Sequence, residues 1–119
     1  MPAAKLDITI EQGATWARTL GLVRANKTPM SLVGYTGKAQ IRTKPEDDTV
    51  LAEFTVAFVE PRTSGKIMYS LTDEETTELT FSTAAYDLFI ISPSGVTTKL
   101  VYGTVSVVPA ITRFVVPGP

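Results

Sequence analysis

Four groups of residues in this 119-residue chain have types and spacings that chemistry can use. They are a glycine- and lysine-containing segment at 34–38, a run of carboxylates at 46–48, the glutamates Glu74, Glu75 and Glu78, and the single tryptophan, Trp16. The corresponding chemistries are phosphate binding, calcium binding, acid–base catalysis and stacking on a sugar ring. Each group also has a simpler structural interpretation.

The segment at 34–38 lacks the features with which a loop binds phosphate. Leu32 occupies the position of the first glycine, and Ala39 stands where serine or threonine would contact the metal. A strand rather than a helix is predicted to follow, and the N–H groups of a helix start are what bind the anion. We therefore interpret this segment as a tight turn into a strand.

The carboxylates lack the spacing of a metal or catalytic site. The residues at 46–48 are adjacent and point in different directions, and the alternating spacing of a calcium loop is missing. Thr72 and Glu75 have the spacing of a helix capping box, so Glu74, Glu75 and Glu78 are interpreted as part of a short, solvated helix. An acid–base pair would need burial to shift its pKa, and no neighbouring apolar segment supplies that.

Composition excludes further chemistry. Cysteine and histidine are absent, which removes disulfides, thiolate nucleophiles, cysteine–zinc sites and the most frequent general base. A net charge of −1 without a basic run argues against nucleic acid as a partner. We expect no enzyme activity, no cofactor and no small-molecule substrate. An Asp/Glu-dependent hydrolase is the least favoured alternative.

The chain carries no recognisable membrane signal. Its amino terminus lacks the apolar run of a signal peptide, and apolar runs such as 88–91 fall far short of the ~20 residues that span a bilayer. We expect synthesis in the cytoplasm and no membrane partner.

Alternating apolar and polar residues predict an all-β fold. Strands are predicted at 6–11, 15–24, 35–43, 50–59, 66–71, 85–92 and 96–108. Trp16 is in phase with Leu20 and Leu22, which favours a place in the core, and Gly103 is a candidate bulge. About seven short strands and one short helix predict an immunoglobulin-like β-sandwich in a single domain, 1–119, with a small β-barrel as the alternative.

Apolar residues that the core does not require predict a partner interface. The strand at 50–59 is largely apolar on both faces, which suits a strand covered from both sides. At 109–119 several large apolar residues follow Pro109, and this segment is either a docking arm for a neighbouring subunit or a last edge strand of the same domain. The predicted interface residues are Phe54, Met68, Phe89, Ile91, Arg113, Phe114, Val115 and Val116.

Short stretches along nearly the whole chain carry a family resemblance. They are residues 8–16 (ITIEQGATW), 31–36 (SLVGYT), 39–42 (AQIR), 65–67 (GKI), 70–72 (SLT), 86–88 (YDL), 103–105 (GTV) and 112–113 (TR). Together they resemble a family of short proteins encoded among the structural genes of tailed bacteriophages. They also resemble, more weakly, the amino-terminal immunoglobulin-like domain of siphophage baseplate upper proteins, which continue into coiled-coil and fibre-binding parts.

The resemblance implies a non-enzymatic structural subunit of a virion. It would act as an adaptor at the tail, baseplate or tail-fibre attachment region, docked on other virion proteins and on copies of itself in a symmetric assembly. A capsid decoration (cement) protein is a close alternative. A carbohydrate-binding module, from a different functional class, would need exposed aromatic residues, for which Trp16 and Tyr35 are the candidates.

Overall fold

A computed structural model describes residues 3–111 of the chain. The elements in order are β1 (Ala4–Lys5), β2 (Ile8–Glu11), β3 (Trp16–Gly21), β4 (Thr36–Arg42), β5 (Ala52–Phe58), β6 (Lys66–Leu71), α1 (Asp73–Thr77), β7 (Thr83–Ile91) and β8 (Thr97–Val108). A single 3-10 turn, Arg62–Ser64, precedes β6. Every strand predicted from the alternating pattern is present. The two-residue β1 is an addition.

The strands form two layers that are joined into one curled sheet. One layer contains β8, β7, β4 and the first half of β5, with β1 and β2 pairing in parallel with β8. The other layer contains the second half of β5, then β6 and β3, all antiparallel. The fold is therefore an immunoglobulin-like sandwich that approaches a half-barrel, which confirms the predicted fold class.

Strand β5 belongs to both layers. Its residues Ala52 and Phe54 pair with Ile41 and Ala39 of β4. From Thr55 onward it pairs with β6 instead. The strand thus crosses from one layer to the other, and this crossing produces the strong curl of the sheet.

The core lies between the layers and is built by the inward half of each alternating strand. In β7 the inward residues Ala84, Tyr86, Leu88 and Ile90 are all buried, whereas the residues between them are half-buried. Four aromatic rings form the centre of this core, at centroid distances of 5.1 to 6.0 Å: Trp16, Phe54, Tyr69 and Tyr86. The predicted core position of Trp16 is confirmed.

Helix α1 has the predicted capping box. The Thr72 hydroxyl accepts a hydrogen bond from the Glu75 backbone N–H (3.1 Å), and the Glu75 carboxylate accepts one from the Thr72 N–H (2.8 Å). Two N–H groups that the helix cannot satisfy itself are thereby paired. The helix is short, as the threonines within it predict.

A buried polar network attaches α1 to the turn between β2 and β3. The Thr76 hydroxyl, fully buried, donates to the Ala14 carbonyl (2.9 Å) and accepts from the Gly13 N–H (3.1 Å). The Gln12 side chain donates to the carbonyls of Thr77 and Leu79 and accepts from the Ala110 N–H. This network fixes one end of the sandwich without an ion pair.

The predicted bulge at Gly103 is wrong. Gly103 pairs regularly with Tyr86, and the irregularity of the β7–β8 hairpin lies three residues earlier, where Leu100 is the extra residue between Lys99 and Val101. The reason for glycine at 103 is a close backbone approach. A Cβ atom there would lie 2.5 Å from the carbonyl oxygen of Leu6.

Candidate functional site

The glycine-containing segment at 34–38 has the structure of a turn. Gly34 has a left-handed φ of 80° and packs against Pro93, and strand β4 begins at Thr36. No helix start follows that could bind a phosphate group. The structural interpretation of this segment is confirmed.

The carboxylates at 46–48 stabilise their own loop. The Asp47 carboxylate accepts a hydrogen bond from the Thr49 N–H (3.0 Å), and the Arg42 guanidinium donates to the Asp47 carbonyl (3.0 Å). Within residues 3–111, no three acidic side chains lie close enough together to hold a metal ion.

One predicted interface residue is misplaced. Phe54 is 3% exposed and packs against the rings of Trp16, Tyr69 and Tyr86, so the prediction that it faces a partner is wrong. The reason is the phase of β5: where the strand changes layers, Phe54 points into the core. Sequence alternation alone cannot assign the inner face when both faces are apolar.

The other described interface residues lie on outer faces. Met68 lies on the outer face of β6, while Phe89 and Ile91 lie on the outer face of β7, and all three are half-buried. Arg113, Phe114, Val115 and Val116, and the last eight residues of the proposed arm at 109–119, lie outside the described residues.

The outer face of β4, β7 and β8 forms a shallow depression of about 500 Å³, which we call the flank surface. Its central side chains are Lys38 of β4, Asp87, Phe89 and Ile91 of β7, and Lys99 and Tyr102 of β8. The aromatic and aliphatic groups lie towards the half of the face near the β7–β8 turn. The flank surface contains the aromatic side chains Phe89 and Tyr102 on the outer face of this layer.

Lys99 organises the flank surface. Its ammonium group lies 5.4 Å from the Phe89 ring centroid and 5.9 Å from that of Tyr102, both within the range of cation–π attraction. The same group is 3.7 Å from the Asp87 carboxylate. The Lys99 ammonium group therefore lies near both the half-buried Phe89 ring and the exposed Tyr102 ring.

Lys99 and Tyr102 were not among the residues predicted from the sequence. They are three positions apart, so simple alternation places them on opposite faces of β8. The extra residue Leu100 shifts the phase, and both side chains then face outward. No turn or glycine signal in the sequence indicates a bulge at this position.

Among residues 3–111, the one strongly perturbed titrating group is Tyr86, whose hydroxyl lies in the core although the residue also borders the flank surface. The Tyr86 hydroxyl donates to the Leu6 carbonyl and lies 3.2 Å from the Tyr69 hydroxyl. Burial, followed by the hydrogen bond and charge interaction with Tyr69, raises the pKa of Tyr86 far above its ordinary value near 10. Its role is structural, because its hydroxyl is paired with Tyr69 and with the Leu6 carbonyl inside the core.

This raised pKa predicts a loss of stability in alkali. Below pH 10 Tyr86 is protonated in both folded and unfolded chains and has no effect on pH dependence. Above pH 10 the unfolded chain loses this proton while the folded chain keeps it, so Tyr86 lowers the free energy of unfolding by up to about 1.4 kcal/mol per pH unit. Urea titrations at pH 9 to 11.5 measure the slope, and it should be shallower in Tyr86→Phe. Equal slopes in the two chains would contradict this assignment.

None of the helices within residues 3–111 has the length and apolar character needed to cross a membrane.

No protein-family model and no curated protein matches the sequence.

Among solved structures, the chain is similar to one from structure-based photo-crosslinking work on multimeric cell-adhesive interactions of VGSC beta subunits. The TM-score is 0.52 at 14% sequence identity, and the match covers 87% of this chain and 92% of that chain. At this identity the likeness shows the fold alone, and it agrees with the immunoglobulin-like sandwich.

Proposed function

We propose that this chain is a non-enzymatic structural subunit of a tailed-bacteriophage virion, an adaptor at the tail, baseplate or tail-fibre attachment region. The sequence resemblance to small phage virion proteins supplies the setting. The flank surface supplies the mode of action, because it presents partly exposed apolar rings on a rigid sheet. That surface is the observation that carries the proposal.

The flank surface suits protein docking. Phe89 and Tyr102 project from paired strands of the sheet and lie near the Lys99 ammonium group, and an aromatic side chain has few rotatable bonds to order on binding. Each apolar Å² that a partner covers contributes about 25 cal/mol. Tyrosine, phenylalanine and methionine are also the residue types enriched in protein interfaces. Rigid aromatic groups of this kind act as anchors, with the charged groups around them setting orientation.

Catalysis and sugar binding have less support. Among the residues that line the flank surface, Asp87 is the one carboxylate, and it forms an ion pair with Lys99. The aromatic residues expected of a carbohydrate-binding module, Trp16 and Tyr35, are both partly buried and pack against the core. Both rings are therefore less accessible for stacking on a sugar than fully exposed rings would be.

The proposal is tested by locating the chain in purified virions of the phage that encodes it. Mass spectrometry of gradient-purified particles should detect the protein, and immunogold labelling should place it at the tail or baseplate. Labelling over the capsid surface would favour the decoration alternative. Absence from mature particles would refute the structural role.

The flank surface is tested by surface variants of the same chain. Phe89→Ser combined with Tyr102→Ser should reduce incorporation into virions about tenfold or more, because anchor residues dominate interface energy. Thr55→Ala, an exposed residue on the other layer, is the matched control and should leave incorporation unchanged. Met68→Thr tests the second outer face separately. Thermal unfolding of each variant checks that the fold is retained.

A further inference from the structure

Most carboxylates of the described residues lie at one end of the sandwich, and a smaller group of cations lies at the opposite end. One end, which we call the acidic end, contains the β2–β3 turn, the β4–β5 loop, α1 and the end of β8. The Gln12 side chain donates hydrogen bonds to the carbonyls of Thr77 and Leu79 and accepts one from the Ala110 N–H, which holds three of these segments together. The β4–β5 loop lies at the same end because Arg42, the last residue of β4, pairs with Ala85 near the start of β7.

Carboxylates dominate the acidic end. They are Glu11, Glu46, Asp47, Asp48, Asp73, Glu74, Glu75 and Glu78. Among residues 3–111, the cations at this end are Arg42 and Lys44, and none of the α1 carboxylates is in an ion pair. The end therefore carries a strong negative potential in a chain whose net charge is only −1.

The opposite end, which we call the basic end, contains the segment 22–35, the turn 59–66 and the β7–β8 turn. Backbone hydrogen bonds from Leu22 to Gly65 (2.7 Å) and from Leu32 to Arg62 (2.9 Å) join the first two. The contact of Gly34 with Pro93 joins the β7–β8 turn to the segment 22–35.

Cations dominate the basic end. They are Arg24, Lys27, Arg62 and Lys66, and the one described carboxylate there is Glu60, 3.7 Å from Arg62. Three of the four cations are exposed.

Exposed apolar side chains follow the same division. Val23, Val33 and Val96 lie at the basic end, exposed by 54%, 59% and 62%. Val50, Leu51, Val108 and Ile111 lie at the acidic end. Of the large exposed hydrophobic residues in the described part of the chain, Tyr102 alone lies elsewhere, on the flank surface. Both ends thus combine charge of one sign with apolar contact area.

We propose that copies of this chain associate head to tail, with the acidic end of one copy docked on the basic end of the next. This deepens the proposed function, since it names a second copy of the chain as a partner and the two ends as the surfaces. The occupant is identified by complementarity: each end offers the charge sign that the other lacks, and both offer aliphatic groups that association removes from water.

The geometry predicts a weak contact. The cross-section of the molecule is 31 by 22 Å, so an end covers about 500–700 Å², somewhat below the ~800 Å² per partner of a stable complex. Exposed ion pairs add little each, and salt screens them. We therefore expect a dissociation constant in the micromolar to millimolar range for an isolated pair, with tighter assembly where many copies are held together.

A contact between two different ends has a further consequence. Because it is heterologous, repeating it produces a closed ring or an open stack, depending on the rotation between neighbours. It does not produce a two-fold dimer. Either product is a repeating array of the kind that virion components form.

The experiment compares charge-reversed chains by sedimentation velocity. One variant, Arg24→Glu with Lys66→Glu, has two acidic ends; the other, which combines Glu46→Lys, Asp48→Lys, Glu74→Lys and Glu78→Lys on exposed residues, has two basic ends. Each variant alone should self-associate at least about tenfold more weakly than the unmodified chain, because like-charged ends repel. An equimolar mixture of the two should associate again, since opposite ends can then meet.

The dependence of self-association on ionic strength is an independent test. Raising the ionic strength from 10 to 150 mM shortens the screening length from about 30 to about 8 Å and should weaken association of the unmodified chain severalfold. The matched control, Lys5→Glu, makes the same change in net charge as the single variant Lys66→Glu, on an exposed residue away from both ends and from the flank surface. It should associate like the unmodified chain.

Several results would overturn the head-to-tail contact. These are a chain that stays monomeric at millimolar concentration and low salt, a mixture that does not associate, and a control that is as weak as the end variants. If either charge-reversed variant fails to fold, the single variant at the same end, Lys66→Glu or Glu78→Lys, is used in its place and should associate more weakly than the unmodified chain. Failure here would leave detection in virions unaffected, so the two proposals can fail separately.

Discussion

Replacing Gly103 with alanine lowers the free energy of unfolding by about 2–4 kcal/mol, the range of a severe backbone clash in a buried region. The new Cβ atom would lie 2.5 Å from the Leu6 carbonyl oxygen and 2.9 Å from the Asp7 carboxylate. Both distances are too short for non-bonded atoms, so the segment that carries β1 must move away from β8. Three hydrogen bonds are lost with it: Leu6 to Tyr102, Tyr86 to Leu6 and Thr104 to Asp7. Urea unfolding measures the effect as a midpoint shift of about 1–2 M.

Gly21→Ala is the matched control. Gly21 lies at the end of β3, does not have a left-handed φ, and an added Cβ atom there meets no atom within 4 Å. Alanine should therefore be neutral or stabilising by up to about 1 kcal/mol, because it restricts the unfolded chain. If the two glycine variants had equal stability, the close approach of Leu6 to β8 would be incorrect.

The second large effect is expected at Thr76. Thr76→Val keeps the shape of the side chain but removes the hydroxyl that donates to Ala14 and accepts from Gly13. The Thr76 side chain is fully buried, whereas Gly13 is half-buried and Ala14 is exposed, so water can replace the lost partners only in part. A buried group left without a partner costs about 1–3 kcal/mol, and a total loss in that range is expected.

The neighbouring residue supplies the control. Thr77 also forms a hydrogen bond, to the Asp73 carbonyl at 2.7 Å, but its side chain is exposed and water can replace the bond. Thr77→Val should therefore cost less than about 0.5 kcal/mol. Thermal unfolding of both variants measures the difference. Similar losses at the two positions would argue against the network that joins α1 to the β2–β3 turn.

The features that sequence predicts well are those set by local pattern. Inward alternation in β6 and β7 identifies Ile67, Tyr69, Tyr86 and Leu88 as core, and the spacing of Thr72 and Glu75 identifies the capping box. These depend on neighbours within a few residues. The fold class follows from them, since many short half-buried strands must pair into layers.

The features that sequence does not predict depend on distant contacts. Phe54 is assigned to the wrong face because the change of layer within β5 cannot be read from an apolar run. The reason for Gly103 is an approach by Leu6, 97 positions away in sequence. The outward positions of Lys99 and Tyr102 depend on the extra residue Leu100, which only the pairing with β7 reveals.

The parallel pairing of β2 with β8 has a mechanical consequence. Ile8 to Glu11 lie beside Val105 to Val108 and run in the same direction. A force that pulls the chain before β2 away from the chain after β8 therefore loads these hydrogen bonds side by side, in shear, instead of opening them one after another. Such an arrangement resists extension between the two ends of the fold far better than an antiparallel hairpin would, because all of its hydrogen bonds must break together.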